Sequence, residues 1–128
     1  MKTHNFLSIF LICFIFLLSC NENENGDSVP PGSLTIENIV PTNGGGIFSY
    51  SLPNDSDILF VRAEYTNSLG DDVYRVSSSH NNSIEIDGLN QNTPLIVRLY
   101  VVDENENISE PTEVEFTPVS YTHLTLPT

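Results

Sequence analysis

Tryptophan is absent from the 128 residues, methionine occurs once, and lysine and arginine together number four against 17 aspartates and glutamates, a net charge of -13. Four scattered cations cannot neutralise a run of phosphates, so nucleic-acid binding is not expected. The same shortage removes a polybasic patch for an anionic lipid surface. Without tryptophan the chain lacks the usual aromatic platform of strong carbohydrate binding. Both cysteines, Cys13 and Cys20, lie in the first twenty residues, which leaves no thiol beyond them for a disulfide or a cysteine enzyme. No window carries the periodicity of a helix of normal length, and 128 residues allow one domain.

What is present begins with an address. Lys2 and His4 precede an apolar run, Phe6 to Leu18, thirteen positions in which only Ser8 is polar. At about 1.5 Å per residue this run is too short for a bilayer core of roughly 30 Å, so it reads as the hydrophobic region of a signal peptide rather than a membrane span. It ends in Leu17-Leu18-Ser19-Cys20. That segment resembles the lipobox of bacterial lipoproteins; the resemblance implies removal of residues 1–19, acylation of Cys20 and a lipid-anchored chain. Two or more acyl chains give stable anchoring, at about 0.8 kcal/mol per buried CH₂. Residues 20–32, rich in Asn and Glu, form a solvated tether. Acidic residues just behind a lipidated Cys also look like the surface-export signal of some Gram-negative lipoproteins, which implies an outer-membrane, surface-exposed domain; generic linker composition is the other reading.

From Ser33 to Val119 the apolar residues recur mostly at period two and turn residues arrive every eight to twelve positions, the pattern of a seven-stranded antiparallel β-sandwich of immunoglobulin or fibronectin type III-like architecture. The expected strands are Leu34–Ile39, Ile47–Leu52, Leu59–Tyr65, Val73–Ser77, Ser83–Ile86, Leu95–Val102 and Glu113–Thr117. Phe48-Ser49-Tyr50-Ser51-Leu52-Pro53, Val61-Arg62-Ala63-Glu64-Tyr65 and Leu95 to Asp103 resemble the second, third and sixth strands of fibronectin type III domains, with Tyr50 at the position of the usual core tryptophan. Leu95 stands where that family carries its corner tyrosine. A closer resemblance, in Gly44-Gly45-Gly46, Tyr50 to Asp55, Val61-Arg62-Ala63, Leu99 to Asp103 and Asn107 to Pro111, is to an uncharacterised domain that opens many outer-membrane lipoproteins encoded beside polysaccharide-uptake genes. It implies a spacer followed by further modules. Residues 120–128 have no place in a seven-strand count and resemble a tail found on truncated reading frames, so the natural protein is expected to continue beyond Val119.

Catalysis finds few candidates. Past residue 20 the only imidazoles are His80 and His123. His80 follows Ser77-Ser78-Ser79, where Ser and Asn are ordinary turn formers, and no insertion is long enough to build a deep water-excluding pocket. The expected activity is therefore none, and no cofactor is expected.

A weak cation site can be drawn from Asp55 and Asp57 behind the second strand with Asp103, Glu104 and Glu106 behind the sixth, since those loops should share one end of the sandwich and Ca²⁺ takes six to eight oxygens. Ile108 and Val114 stand where a calcium loop would need Gly and Glu, so turn formation and surface solvation are the more ordinary reading.

Alternation supplies the remaining candidate. If Val61, Ala63 and Tyr65 point inward with Leu95, Val97, Leu99 and Val101, then Phe60, Arg62, Glu64, Ile96, Arg98 and Tyr100 point outward on neighbouring strands. Arg75 is expected to join them. An Arg and Tyr face suits sugar stacking or a partner protein; cross-strand pairing of the arginines with Glu64, Glu113 and Glu115 explains the same residues without a ligand. The function expected is a non-catalytic spacer or glycan-binding accessory of a polysaccharide-uptake system, with an adhesion or protein-interaction module as the alternative. Its partners would be the membrane through the lipid and a glycan or another envelope protein.

Overall fold

The computed structural model describes residues 28–120. Cys20, the segment expected to be a signal peptide, the first part of the tether, His123 and the final residues lie outside that range. Within it, seven antiparallel strands form two sheets, with no helix. They are β1 Thr35–Thr42, β2 Gly45–Ser51, β3 Ile58–Thr66, β4 Asp72–Ser78, β5 Ser83–Ile86, β6 Leu95–Asp103 and β7 Thr112–Phe116. One sheet has the order β1-β2-β5 and the other β4-β3-β6-β7.

The core forms where the period-two sets of the two sheets meet. Phe48 and Tyr50 of β2 and Ile84 and Ile86 of β5 face Val61, Ala63 and Tyr65 of β3 and Val97, Leu99 and Val101 of β6, all buried. Phe116 closes one end, its ring edge-on to Phe48 with centroids 5.2 Å apart and planes at 68°, the geometry that aromatic quadrupoles favour. Tyr50 is fully buried at the substituted aromatic position.

Two bulges decide which residues reach this core. In β1 the register slips between Ile36 and Asn38. The extra residue turns Ile36 and Ile39, three apart, to the same side, where both pack on the core, while Val40 is left exposed. In β3 the slip between Ile58 and Phe60 leaves Leu59 outward and half exposed.

The open edge between β4 and β5 is stitched by polar side chains. The Tyr65 hydroxyl donates to the Asp87 carbonyl at 2.9 Å and accepts from the Asp87 N–H at 3.3 Å. Ser77 Oγ donates to the Ser83 carbonyl at 2.8 Å, and Arg75 pairs with the Asp87 carboxylate. Leu95 carries no hydroxyl for a corner tie, but Tyr65 holds a neighbouring strand end by equivalent chemistry. Burial keeps the Tyr65 phenol above its ordinary pKa, so it remains a donor. Tyr65→Phe keeps the ring and strands the Asp87 backbone groups; a loss of about 1–2 kcal/mol in urea unfolding is expected, with no change in slope.

On the other side, the segment leading into β1 lies along the segment leading into β7. Ser33 Oγ donates to the Glu110 carbonyl and Thr112 Oγ1 to the Leu34 carbonyl, both at 2.9 Å. At the opposite pole Asn43 and Val119 form a parallel bridge, and the Gly44 N–H donates to the Val119 carbonyl at 2.9 Å. Gly44 has φ +77°, and its turn joins β1 to β2 in two residues.

Candidate functional site

The outward face of the four-stranded sheet is built in cross-strand rows. Arg62 lies opposite Val76 on one side and Tyr100 on the other. The next row reads Tyr74, Glu64, Arg98, Glu113 across β4, β3, β6 and β7. The sequence-predicted trio Arg62, Arg98 and Tyr100 is therefore brought together. The Arg62 guanidinium carbon sits 5.3 Å from the centre of the Tyr100 ring, a cation–π distance. Its Nη2 lies 3.0 Å from Glu64 Oε1, while its Nε is buried without a hydrogen-bond partner. Arg98 Nε donates to Glu113 Oε1 at 2.7 Å, and this hydrogen bond holds the guanidinium above its ordinary pKa.

Arg75 is not on this face. It is registered opposite Ala63, an inward position, so its side chain leaves from the core side of the edge strand and reaches Asp87. A one-residue difference in parity sends a side chain to the other face. Tyr74 and Val76, absent from the sequence-predicted set, occupy the outward positions of β4 and are 62% and 52% exposed. The β4 alternation Tyr74-Arg75-Val76 could have disclosed them once the parity of its partner strand was fixed.

Beyond the second row, toward the Thr66–Asp72 pair, lies a shallow hollow of about 300 Å³ bordered by Glu64, Thr66, Asp72, Tyr74, Ile96 and Arg98. Ile96 is half exposed, so the rim offers apolar surface beside carboxylates and a guanidinium. Thr66 Oγ1 donates to Asp72 Oδ1 at 2.8 Å, which fixes that carboxylate at the edge.

The acidic loops meet as the sequence suggests. Ile58 is registered opposite Asp103, and the Glu104 N–H donates to the Asp57 carbonyl at 2.9 Å. Two of their side chains, those of Asp103 and Asp55, are employed in bonds of their own. Asp103 is buried. Its Oδ1 accepts the N–H groups of Asn105 and Asn107, at 2.9 and 2.8 Å, and its Oδ2 accepts Asn107 Nδ2 at 2.8 Å. Asp55 Oδ2 accepts the Gly32 N–H at 2.8 Å. Among the described residues no three His, Cys, Asp or Glu side chains gather as a metal site. Asp103 thus organises its own turn, in which Glu106 takes φ +64°.

Burial raises the Asp103 carboxyl, but its bonds to Asn107 and Asn105 outweigh this and hold it below its ordinary value. With the folded pKa below an unfolded value of about 3.9, the carboxylate's contribution to stability is complete above about pH 4 and disappears as pH falls through the folded value. Thermal melts of Asp103→Asn should show lower Tm at neutral pH and a flatter acid limb. An unchanged acid limb would refute this role.

His80 closes a surface turn: its N–H donates to Ser78 Oγ at 3.3 Å and its Nδ1 lies 3.3 Å from the same oxygen. The hydroxyl there is a turn acceptor.

Solved structures share the sandwich at low identity. The Clostridium perfringens spore cortex lytic enzyme SleM is similar with a TM-score of 0.57 and 16% identity, over 70% of this chain and 29% of that one. The chicken CNTN1 FN1–FN3 domains give 0.58 and 8%, over 70% and 32%. The fibronectin type-III domain of human fibronectin type III domain containing protein 3 gives 0.55 and 15%, over 79% and 97%. The chain thus spans about a third of the length of the first two and nearly all of the third. No curated protein sequence matches significantly. At these identities the likeness concerns the fold, a fibronectin type III-like sandwich. Residues 31–118 match the family described as Domain of unknown function (DUF4959), and the chain belongs to that family.

Proposed function

We propose that this protein is a surface lipoprotein, anchored in the outer membrane through Cys20, whose sandwich is a non-catalytic glycan-binding accessory or spacer in a polysaccharide-uptake system. The observation that supports it best is the outward sheet face, where an exposed Tyr74 and Ile96 border a hollow of about 300 Å³ together with Glu64, Asp72 and Arg98, one row along from the stacked Arg62–Tyr100 pair. An aromatic ring beside fixed carboxylates and a guanidinium offers what a sugar ring needs, an apolar surface and polar groups at its rim. Ser78 and His80 are employed in a turn, which favours binding over hydrolysis. A spacer role draws on the exit of the chain at the pole opposite Ser33, because a module placed after Val119 would stand away from the tether.

Two measurements test this. Labelled palmitate fed to cells should enter the full chain and leave it in Cys20→Ser, which should also be released from the membrane fraction; equal labelling of both would refute the anchor. In a titration of the full chain with a panel of neutral and acidic oligosaccharides at least one should raise its Tm, since ligand at a hundredfold excess over Kd adds about 2.7 kcal/mol. The alternative, a protein-interaction module, draws on the exposed apolar Tyr74, Val76 and Ile96 of the same face. It predicts indifference to every glycan and crosslinking of that face to an envelope protein.

A further inference from the structure

We infer that the hollow beside Tyr74 selects neutral sugars and rejects acidic ones. This rests on the glycan reading above and specifies its ligand class. The argument is one of charge. An acidic glycan is recognised by cations free to pair with its carboxylates or sulfates. Among the described residues the cations of Lys and Arg type are Arg62, Arg75 and Arg98. Each already has a carboxylate partner: Arg62 has Glu64, Arg75 has Asp87 on the other side of the sheet, and Arg98 has Glu113. Asp72 then adds a negative charge at the rim, in a chain of net charge -13. An anion arriving here meets repulsion in the shallow site and around it.

A neutral sugar meets none. Its hydroxyls can donate to Glu64 and Asp72 and accept from the guanidinium N–H groups of Arg98 that Glu113 Oε1 does not take. Its ring hydrogens can lie on Tyr74 and Ile96, both exposed. The row Tyr74, Glu64, Arg98 holds these groups on paired strands rather than on a loop, which fixes their spacing. At about 300 Å³ the hollow is at the small end of ligand sites and suits a chain terminus or a short branch.

The test is titration of the full chain, followed by NMR and calorimetry, with neutral tetrasaccharides of glucose, mannose, galactose and xylose and with tetragalacturonate as the acidic probe. The expected result is saturable binding of a neutral probe that shifts the resonances of Tyr74 and Ile96 and changes less than about twofold over a tenfold change in salt. Tyr74→Ala should weaken it at least tenfold without moving Tm, because the ring is exposed. Tighter binding of tetragalacturonate, or neutral binding that Tyr74→Ala leaves intact, would overturn the selectivity or the site while the glycan reading stands. Failure of every probe would overturn both.

Discussion

Gly45→Ala is expected to destabilise the sandwich by at least about 3 kcal/mol, beyond the usual cost of overpacking, and to lower Tm by more than about 10 °C. A methyl group at Gly45 would lie 1.9 Å from the Ile86 carbonyl oxygen, 2.9 Å from its carbon and 3.1 Å from the Asp87 Cα. These are backbone atoms, so no rotamer change relieves the clash; β2 must move away from β5 at the point where Gly46 pairs with Ile86. Against a total stability of about 5–15 kcal/mol the loss is a large share. Gly70→Ala is the control. Gly70, unlike Gly45, has positive φ, +88°, and an added methyl there meets nothing within 4 Å, so only about 1 kcal/mol of backbone strain is expected. Circular-dichroism melts of the two variants separate collision from strain, and equal shifts would refute the packing argument.

Phe116→Ala should cost about 3–5 kcal/mol, and its coupling to Gly46 is the more informative result. A methyl group at Gly46 would fall 2.6 Å from the Phe116 Cζ and 3.0 Å from Cε2. The ring is not free to tilt, because it is buried and held in edge contact with Phe48. Gly46→Ala is therefore destabilising in the native background and much less so once Phe116 is Ala, where the methyl enters vacated space. The double-mutant cycle should return a coupling of about 1–3 kcal/mol. Additive losses would mean that the glycine matters for its backbone rather than for the ring above it.

These two positions also mark how far the sequence could be read. Val61, Ala63 and Tyr65, and Val97, Leu99 and Val101, alternate without interruption, so their inward faces and the outward positions of Arg62, Arg98 and Tyr100 followed from period two alone. Where a bulge adds a residue, period two misleads. Ile36 and Ile39 share the core although three residues separate them, a spacing that cannot be recognised before β1 is paired with β2. Arg75 is the converse case. Charge suggested that it belonged with the other arginines, whereas its parity is set by Ala63 across the ladder. Asp103 looked like one more surface acid because nothing local in Asp103-Glu104-Asn105-Glu106-Asn107 records that β6 carries its carboxylate inside before the turn. The hollow by Tyr74 was illegible for the same reason: it is assembled from three strands, and its shape depends on their register.

The segments that flank β1 and β7 along the side of the sandwich bear on how it would carry a load. Leu34 meets Thr112 at one pole and Asn43 meets Val119 at the other, so β1 and β7 run in the same direction while the chain enters and leaves at opposite poles. Tension between the two ends then acts along these strands. Their cross-links, from Ser33–Glu110 to Gly44–Val119, must slide and break together rather than open one after another. A domain held at one end and pulled at the other is thereby loaded in shear, the geometry in which a few modest hydrogen bonds resist as a group.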